Sequence, residues 1–366
     1  MRQPHGVEAF APGRCTVVGE HVDYADGVVV CIALDLGVGV TARPSADGAW
    51  RVRGSGGRLA ERGDLELRCD VGDLPFATVL ALHEQGLATP PLDLEIRATL
   101  PESAGLSSSA ALCAATAVAV LRLCAARIAA HDLCALLLHA ERDIAGVPCG
   151  PLDQRAVVLS PRGGALLLDC RDGGEEPLPW PPGYVLAACH TGDTHDVGGE
   201  GYRSRRREVD TALAQLGVAS YRDLDAGMLS PAPLDPVLAR RARHVVTETA
   251  RALDCAAALE LGDMAGVGRL MHASHASLRD DYEVSTATLD ACTAAAEASP
   301  GCVGARLCGA GFGGTAVALV AEGDAAACLE AMRAALPGGR AGAAGRGEWL
   351  LRPASGLAEL AADVVA

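Results

Sequence analysis

Residues 92–127 change periodicity across a short run of small side chains, and that change constrains the fold more than any other stretch. Leu92-Asp93-Leu94-Glu95-Ile96-Arg97-Ala98-Thr99-Leu100 alternates apolar and polar residues, the period of a half-buried strand. Ala110 to Arg127 is rich in Ala and Leu with almost no breaker, which predicts a buried helix. The joint between them, Pro101 to Ala111, reads PESAGLSSSAA. Gly105 opens backbone angles closed to other residues, and Ser107, Ser108 and Ser109 place hydroxyls where a helix start leaves N–H groups unpaired. A helix N-terminus of this kind attracts an anion such as phosphate. A Ser-rich helix cap is the plainer reading of the same residues.

The chain contains no lysine; its basic residues are all arginine. A Walker A loop and a protein-kinase ATP site each place a Lys on the phosphates, so both are excluded. Any nucleotide phosphate bound here must be held by backbone N–H groups, hydroxyls, Mg²⁺ and arginine. The heavy load of Ala, Arg and Gly follows a GC-rich coding bias, so arginine frequency alone says nothing about anions. A net charge of −15 argues against nucleic-acid or anionic-membrane partners, which need basic surface. At 366 residues the chain has room for two domains, and with 3% aromatics the core must be built from Ala, Val and Leu. Its fourteen cysteines are scattered singly, without Cys-x-x-Cys spacing, and read as reduced core residues. No apolar run reaches the roughly 18 residues that span a bilayer, and MRQPHGVEAF lacks a signal core. The expected location is cytoplasmic.

A second informative stretch is Ala11 to Gly27, APGRCTVVGEHVDYADG. Cys15–Val18 and Val28–Ala33 read as buried strands around a loop carrying Arg14, Glu20, His21, Asp23 and Tyr24. Polar loops are often merely solvated, but donors and acceptors held between rigid strands also suit a polyhydroxylated ligand. Leu34 to Leu67 and DLELRCDVG continue as strands, and Phe76 to Gln85 as a short helix. Asp132 to Gly146 is an amphipathic helix delivering Glu141, followed by a Gly/Pro-rich turn that ends on Asp153 beside an apolar β run. Asp153 taken alone reads as a helix cap. Gly163–Cys170 and Tyr184–His190 are strands, with the EEPLPWPPG segment a loop between them. The change of pattern near 155 divides the chain into 1–155 and 156–366. Arg205, Arg206 and Arg207 read as a solvated basic face. Leu234 to Ala298 is helical, broken at Gly262-Asp263 and Asp280-Asp281. His272, His275 and Asp281 lack a third metal ligand in register. Gly304 to Val320 puts Gly309, Gly311, Gly313 and Gly314 between two strands.

PESAGLSSSAA resembles the second motif of the GHMP kinases, and GARLCGAGFGGTAVALV the third. GRCTVVGEHVDYADG is similar to the galactokinase signature GRVNLIGEHTDYNGG, and AERDIAGVPCGPLDQ to the galactokinase pattern AEHxFxGxPCGxMDQ. The resemblance implies an α+β, two-lobed GHMP kinase fold with the active site between lobes. It implies ATP-dependent phosphorylation of the anomeric C1 hydroxyl of galactose or a galactose-like aldose, with ATP and Mg²⁺ required. Asp153 is then the catalytic base and Arg14 its partner. Glu20, His21, Asp23, Gly150 and Tyr202 hold the sugar. Gly105, Leu106, Ser107, Ser108, Ser109 and Ala110 hold ATP, and Ser109 and Glu141 ligate Mg²⁺. Phe76 and Val79 stand where galactokinases carry a Trp and a Tyr near the adenine, Thr194 where an Arg is usual, and His195 matches a His. The helical segment that usually precedes the first motif is almost absent. The partners implied are a small sugar and ATP, with the chain a monomer or homodimer. A C1 kinase for a modified or longer-chain aldose, and a sugar- and ATP-binding regulator without turnover, stay open.

Overall fold

The computed structural model describes residues 6–100, 104–193, 200–229, 234–337 and 347–366. Two long strands start the chain, β1 (Val7–Val18) and β2 (Val28–Pro44), because their Val- and Ile-rich runs are buried almost throughout. They pair antiparallel, with irregularities between Pro12 and Arg14 and between Thr16 and Val18. Such irregularities bend a strand and re-aim its side chains. After β3 (Trp50–Arg53), β4 (Leu59–Arg62) and α1 (Asp73–Glu84), β5 (Leu92–Ala98) runs antiparallel to the second half of β2. The alternation of β5 is the one expected of it, with Leu92, Leu94 and Ile96 inward.

Helix α2 (Ser108–Leu123) follows the joint and lies across β1 and β2. Its Ala, Cys and Thr side chains favour close approach, and from Ala110 to Leu121 only Leu112 is not fully buried. Then come α3 (Ala130–Leu138), a π-helical turn (His139–Ile144) that extends it, and α4 (Leu152–Leu159). The strands β6 (Ala165–Asp169) and β7 (Glu175–Leu178) return to the first sheet, β6 pairing with the start of β2.

The second half begins with β8 (Tyr184–His190). Five helices follow: α5 (Glu200–Leu216), α6 (Ala226–Leu229), α7 (Pro236–Glu260), α8 (Met264–Asp280) and α9 (Ala287–Glu297). The chain closes with β9 (Cys302–Cys308), β10 (Thr315–Ala321), α10 (Ala325–Ala334), β11 (Glu348–Leu351) and α11 (Leu357–Leu360). Among the described residues, seven strands form the first sheet and four the second, ordered β11-β8-β10-β9 and antiparallel. Val29, Cys31, Leu166 and Leu168, on the far face of β2 and β6, pack into the same cluster as Val185, Ala187 and Tyr282. The two sheets therefore share a core across the cleft. The C-terminus returns to the first half, where α11 packs on α4 and β1 and Ile128 bridges Val365.

Four local expectations need correcting. Asp64–Gly72 is turns and bends, not strand, because side chains compete for its backbone. Asp73 accepts from the Arg68 and Cys69 N–H groups, and Arg62 reaches Asp70, Asp73 and the Glu66 carbonyl. The apolar run after Asp153 is helix α4, whose Leu152, Ala156, Val157 and Val158 are all buried; short apolar runs do not distinguish the two states by pattern alone. Glu175–Leu178 is strand, so the first sheet takes strands beyond residue 155, and the sheets change between Leu178 and Tyr184. Arg205 is not a free surface cation. It pairs with Glu208 and donates to the carbonyls of Tyr282 and Glu283, while Arg206 lies over the Tyr24 ring.

Candidate active site

Strand β5 and helix α2 meet at a left-handed turn. Gly105 has φ +72° and Ser107 φ +59°, after which the helix starts. The first bond of α2 runs from Ala111 N–H to the Ser107 carbonyl at 3.0 Å, leaving the amides of Ser108, Ser109 and Ala110 at the open end. Ser107 stands at the N-cap position, but its side chain makes no bond to the helix, and its buried Oγ has no partner among the described residues. Leu106 is buried and its carbonyl accepts from Arg14 N–H at 3.2 Å, tying the loop to β1. The glycine-rich turn between β9 and β10 crosses this loop in direct backbone contact. A Cβ on Gly105 would stand 2.7 Å from the Cys308 carbonyl oxygen, and one on Gly309 2.8 Å from Gly105 Cα. Only residues without a side chain fit that crossing.

Arg14 is aimed into the cleft from the irregular stretch of β1. Its Nε donates to Asp153 Oδ1 at 2.7 Å, Nη2 lies 2.5 Å from the same oxygen, and Nη1 donates to the Gly105 carbonyl at 2.7 Å. Burial opposes its charge most, but Asp153, Cys308 and Glu20 together outweigh burial and raise its pKa, so it stays a cation. Asp153 sits on the first turn of α4 and caps nothing. One guanidinium thus joins the carboxylate to the loop that opens α2.

The other wall comes from the β1–β2 loop. His21, at φ +60°, uses both ring nitrogens within the protein: Nε2 faces the Ala310 carbonyl at 3.0 Å and Nδ1 the Tyr24 hydroxyl at 2.9 Å. A carbonyl only accepts, so Nε2 carries the proton, Nδ1 accepts from Tyr24, and Tyr24 accepts from Tyr282 at 2.7 Å. Burial pushes the His21 pKa down to about 3, so the ring is neutral. Glu20 Oε2 is committed to Arg306 at 2.6 Å and to Gly309 N–H at 3.0 Å. Asp23 lies against Gly150 so closely that a Cβ there would sit 1.9 Å from Asp23 Oδ2. Burial, then Asp153, raise the Asp23 pKa to about 7. Tyr202, on α5, closes the side, its ring centroid 5.8 Å from that of His21. These residues, with the phosphate loop and Glu141, line one cavity of about 320 Å³.

Glu141 is buried on the π-helical turn, where Gln154 donates to it at 2.7 Å and Ser109 also bonds it. Burial raises its pKa to about 7. A second cavity, about 220 Å³, abuts Ser108 and Ser109 and is walled by Val38, Leu74, Ile96, Leu100 and Leu112. Phe76 and Val79 are buried in the core instead and do not line it. Thr194 and His195 lie outside the described residues.

The amino-acid sequence matches the family models for the GHMP kinases N terminal domain over residues 73–160 and the GHMP kinases C terminal over 255–338. It also matches the galactokinase galactose-binding signature over residues 2–44. It is 40% identical to the galactokinase of Roseiflexus sp. over 333 residues, covering 87% of this chain and 84% of that one. This chain belongs to the galactokinase family of GHMP kinases. The galactokinase of Bos taurus is 35% identical over 326 residues, covering 85% of this chain and 82% of that one. Lactococcus lactis galactokinase, solved in complex with galactose, superposes with a TM-score of 0.88 at 28% identity, over 97% of this chain and 95% of that one. Methanococcus jannaschii mevalonate kinase shares the fold at a TM-score of 0.64 and 15% identity, over 96% and 99% of the two chains.

Within this galactokinase-family fold, Arg14, Glu20, His21, Asp23, Gly105, Ser107, Ser108, Ser109, Glu141, Gly150, Asp153 and Tyr202 line one cavity, whereas Leu106 and Ala110 are buried behind it. The cleft also holds groups that sequence reasoning missed. Arg306 and Glu248 grip the signature loop from the second half of the chain, and Gln154 orients Glu141. Gln154 was legible as the last letter of the PCGPLDQ string. Arg306 lies in a strand whose neighbours are apolar, and nothing in its pattern separates it from a strand-edge charge.

Proposed function

We propose that the protein transfers the γ-phosphoryl group of ATP to the C1 hydroxyl of galactose. The observation that carries this reading is the Arg14 bridge, which holds Asp153 and the Gly105 carbonyl on the same guanidinium. An acceptor hydroxyl bound at Asp153 is then within reach of a phosphate lodged on the loop. Phosphoryl transfer asks for positioning and charge stabilisation more than covalent help, and this cleft supplies both. Amides at the open end of α2 and the unpartnered Ser107 Oγ take phosphate oxygens. The cavity beside Ser108 and Ser109, walled mostly by apolar side chains with Arg58 and Asp70 also lining it, suits the adenine. Asp153 accepts the C1 hydroxyl proton as the bond from that oxygen to the γ-phosphorus forms and the bond to the bridging oxygen breaks, releasing ADP, while Arg14 offsets charge at the migrating group. Asp23 accepts from a sugar hydroxyl, and Tyr202 packs on the ring. His21 braces the wall rather than donating to the sugar, since its only N–H is spent on Ala310.

The donor set around Glu141 fits Mg²⁺, a hard cation usually held by one or two carboxylates, hydroxyls and substrate phosphates. The pairing of Ser109 with a carboxylate whose charge burial disfavours is a place where a cation relieves cost. Ser109 and Glu141 would hold the ion, which supplies neutralisation of the β- and γ-phosphate charge. We place the reaction in the cytoplasm, where the fourteen cysteines, none of them in a disulfide, stay reduced. The test is ATP consumption with a panel of aldoses, with ³¹P NMR of the product. Galactose should be the preferred acceptor and yield the 1-phosphate; preference for another aldose by about tenfold or more in kcat/KM would replace galactose in this reading.

A further inference from the structure

The sequence around residues 244–251 and 271–281 plays no part in the chemistry above, yet it reaches the sugar wall. His244 and Glu248 stand one turn apart on α7 and hold the backbone C=O and N–H of Glu20 between them. His244 Nε2 donates to the Glu20 carbonyl at 3.1 Å, while its Nδ1 accepts from Ser277 at 2.9 Å. Glu248 is fully buried, and its Oε1 accepts from Gly19 N–H at 2.9 Å, Glu20 N–H at 3.3 Å and the Ser274 hydroxyl at 2.6 Å. Its Oε2 takes Arg251 Nε at 2.7 Å. Burial works against ionisation here, but Arg251 and the other positive and hydrogen-bonding groups outweigh it and hold the carboxyl near 2. The residue that follows this clamped peptide is His21, in the left-handed region that non-glycine residues enter at a cost. Such a conformation persists only where its surroundings fix it on both sides. Ala310 fixes it from the ring and Glu248 from the preceding backbone.

We propose that Glu248 is a positioning residue for the sugar side of the reaction, its charge setting the Gly19–His21 segment from the opposite half of the molecule. This rests on reading the cavity as the sugar site. Hydrogen bonds to an ionised acceptor are about twice as strong as neutral ones. Glu248→Gln keeps the shape, weakens the hold on both amides and sets an NH₂ group against Arg251.

The test compares galactose and ATP KM, kcat, and the galactose dissociation constant by calorimetry for wild type, Glu248→Gln and Ser274→Ala. Cys255→Ala, a buried change on the same helix that removes no hydrogen bond to the loop, is the control. Glu248→Gln should raise galactose KM and dissociation constant about tenfold with ATP KM within about twofold. Ser274→Ala, which removes one donor to Oε1, should shift both sugar constants about two- to threefold in the same direction and decides the matter if Glu248→Gln does not fold. Cys255→Ala should leave them unchanged. Wild-type sugar constants in the variants, or a parallel rise in galactose and ATP KM, would overturn the role. A wild type that neither binds nor turns over galactose counts instead against the sugar assignment, and the variant ratios are then measured with the aldose the panel selects.

Discussion

Gly150 shows how little freedom the sugar wall has. The Asp23 carboxylate rests on its Cα, and a methyl group there would meet Oδ2 at 1.9 Å. Gly150→Ala must push Asp23 away from the sugar, and a displacement of about 1 Å at a reacting centre costs on the order of a hundredfold. We expect galactose kcat/KM to fall by at least about tenfold with ATP KM unchanged, measured by steady-state kinetics. The same close contact explains the composition of the PCG turn. Residue type singled out Arg14, Glu20, His21 and Asp23 as a polar loop between apolar strands, whereas Glu141 and Asp153 were named only by the family resemblance, since Asp153 alone reads as a helix cap. Residue type could not assign the His21 ring nitrogens, since which of them carries the proton depends on a carbonyl from Ala310, almost three hundred residues away. Such pairings leave no local trace.

The elements meet through buried ions as well as apolar faces. Arg306, fully buried on β9, donates to the carbonyls of Thr16 and Val17 on β1 and to Glu20. Removing one member of a buried pair leaves the other charge uncompensated, which costs about 3–5 kcal/mol. Arg306→Leu should lower unfolding free energy by roughly that amount in urea titrations, and a change below about 1 kcal/mol would show that Glu20 is solvated from the cavity. At this scale β1, β2, β5 and α2 were legible because their periods are long and unmixed. Helix α4 was not: Arg155-Ala156-Val157-Val158-Leu159 carries β-branched residues, and burial on several sides rather than propensity decides its state. The strand Glu175–Leu178 was hidden by Pro177, which an edge strand tolerates, and by the prolines that follow it.

Over the whole molecule the cleft stores unfavourable charge, and that has a pH signature. Asp23 has its pKa raised to about 7 in the folded chain, against about 3.9 when unfolded. The folded state therefore binds the extra proton, and stability falls as pH rises from the ordinary carboxylate range through 7. Asp23→Asn removes this contribution. Because Asp23 is half-buried against an open cavity, water screens part of the effect, and the variant should gain about 1–3 kcal/mol over wild type at pH 8. That gain should shrink toward pH 5 while sugar turnover is lost; equal stability at both pH values would show that the Asp23 charge is fully solvated. The three motifs specified the architecture because each sits where strands end at the cleft. Their mutual fit, through Arg14, Gly105 and Gly309, is a property of the folded chain alone.

The most direct measurement is the pair of kcat and galactose dissociation constant for Asp153→Asn. The variant keeps the shape of the side chain and removes the proton acceptor. The account predicts kcat lower by about 10²–10⁴-fold with the dissociation constant within about threefold of wild type. A kcat close to wild type would contradict it.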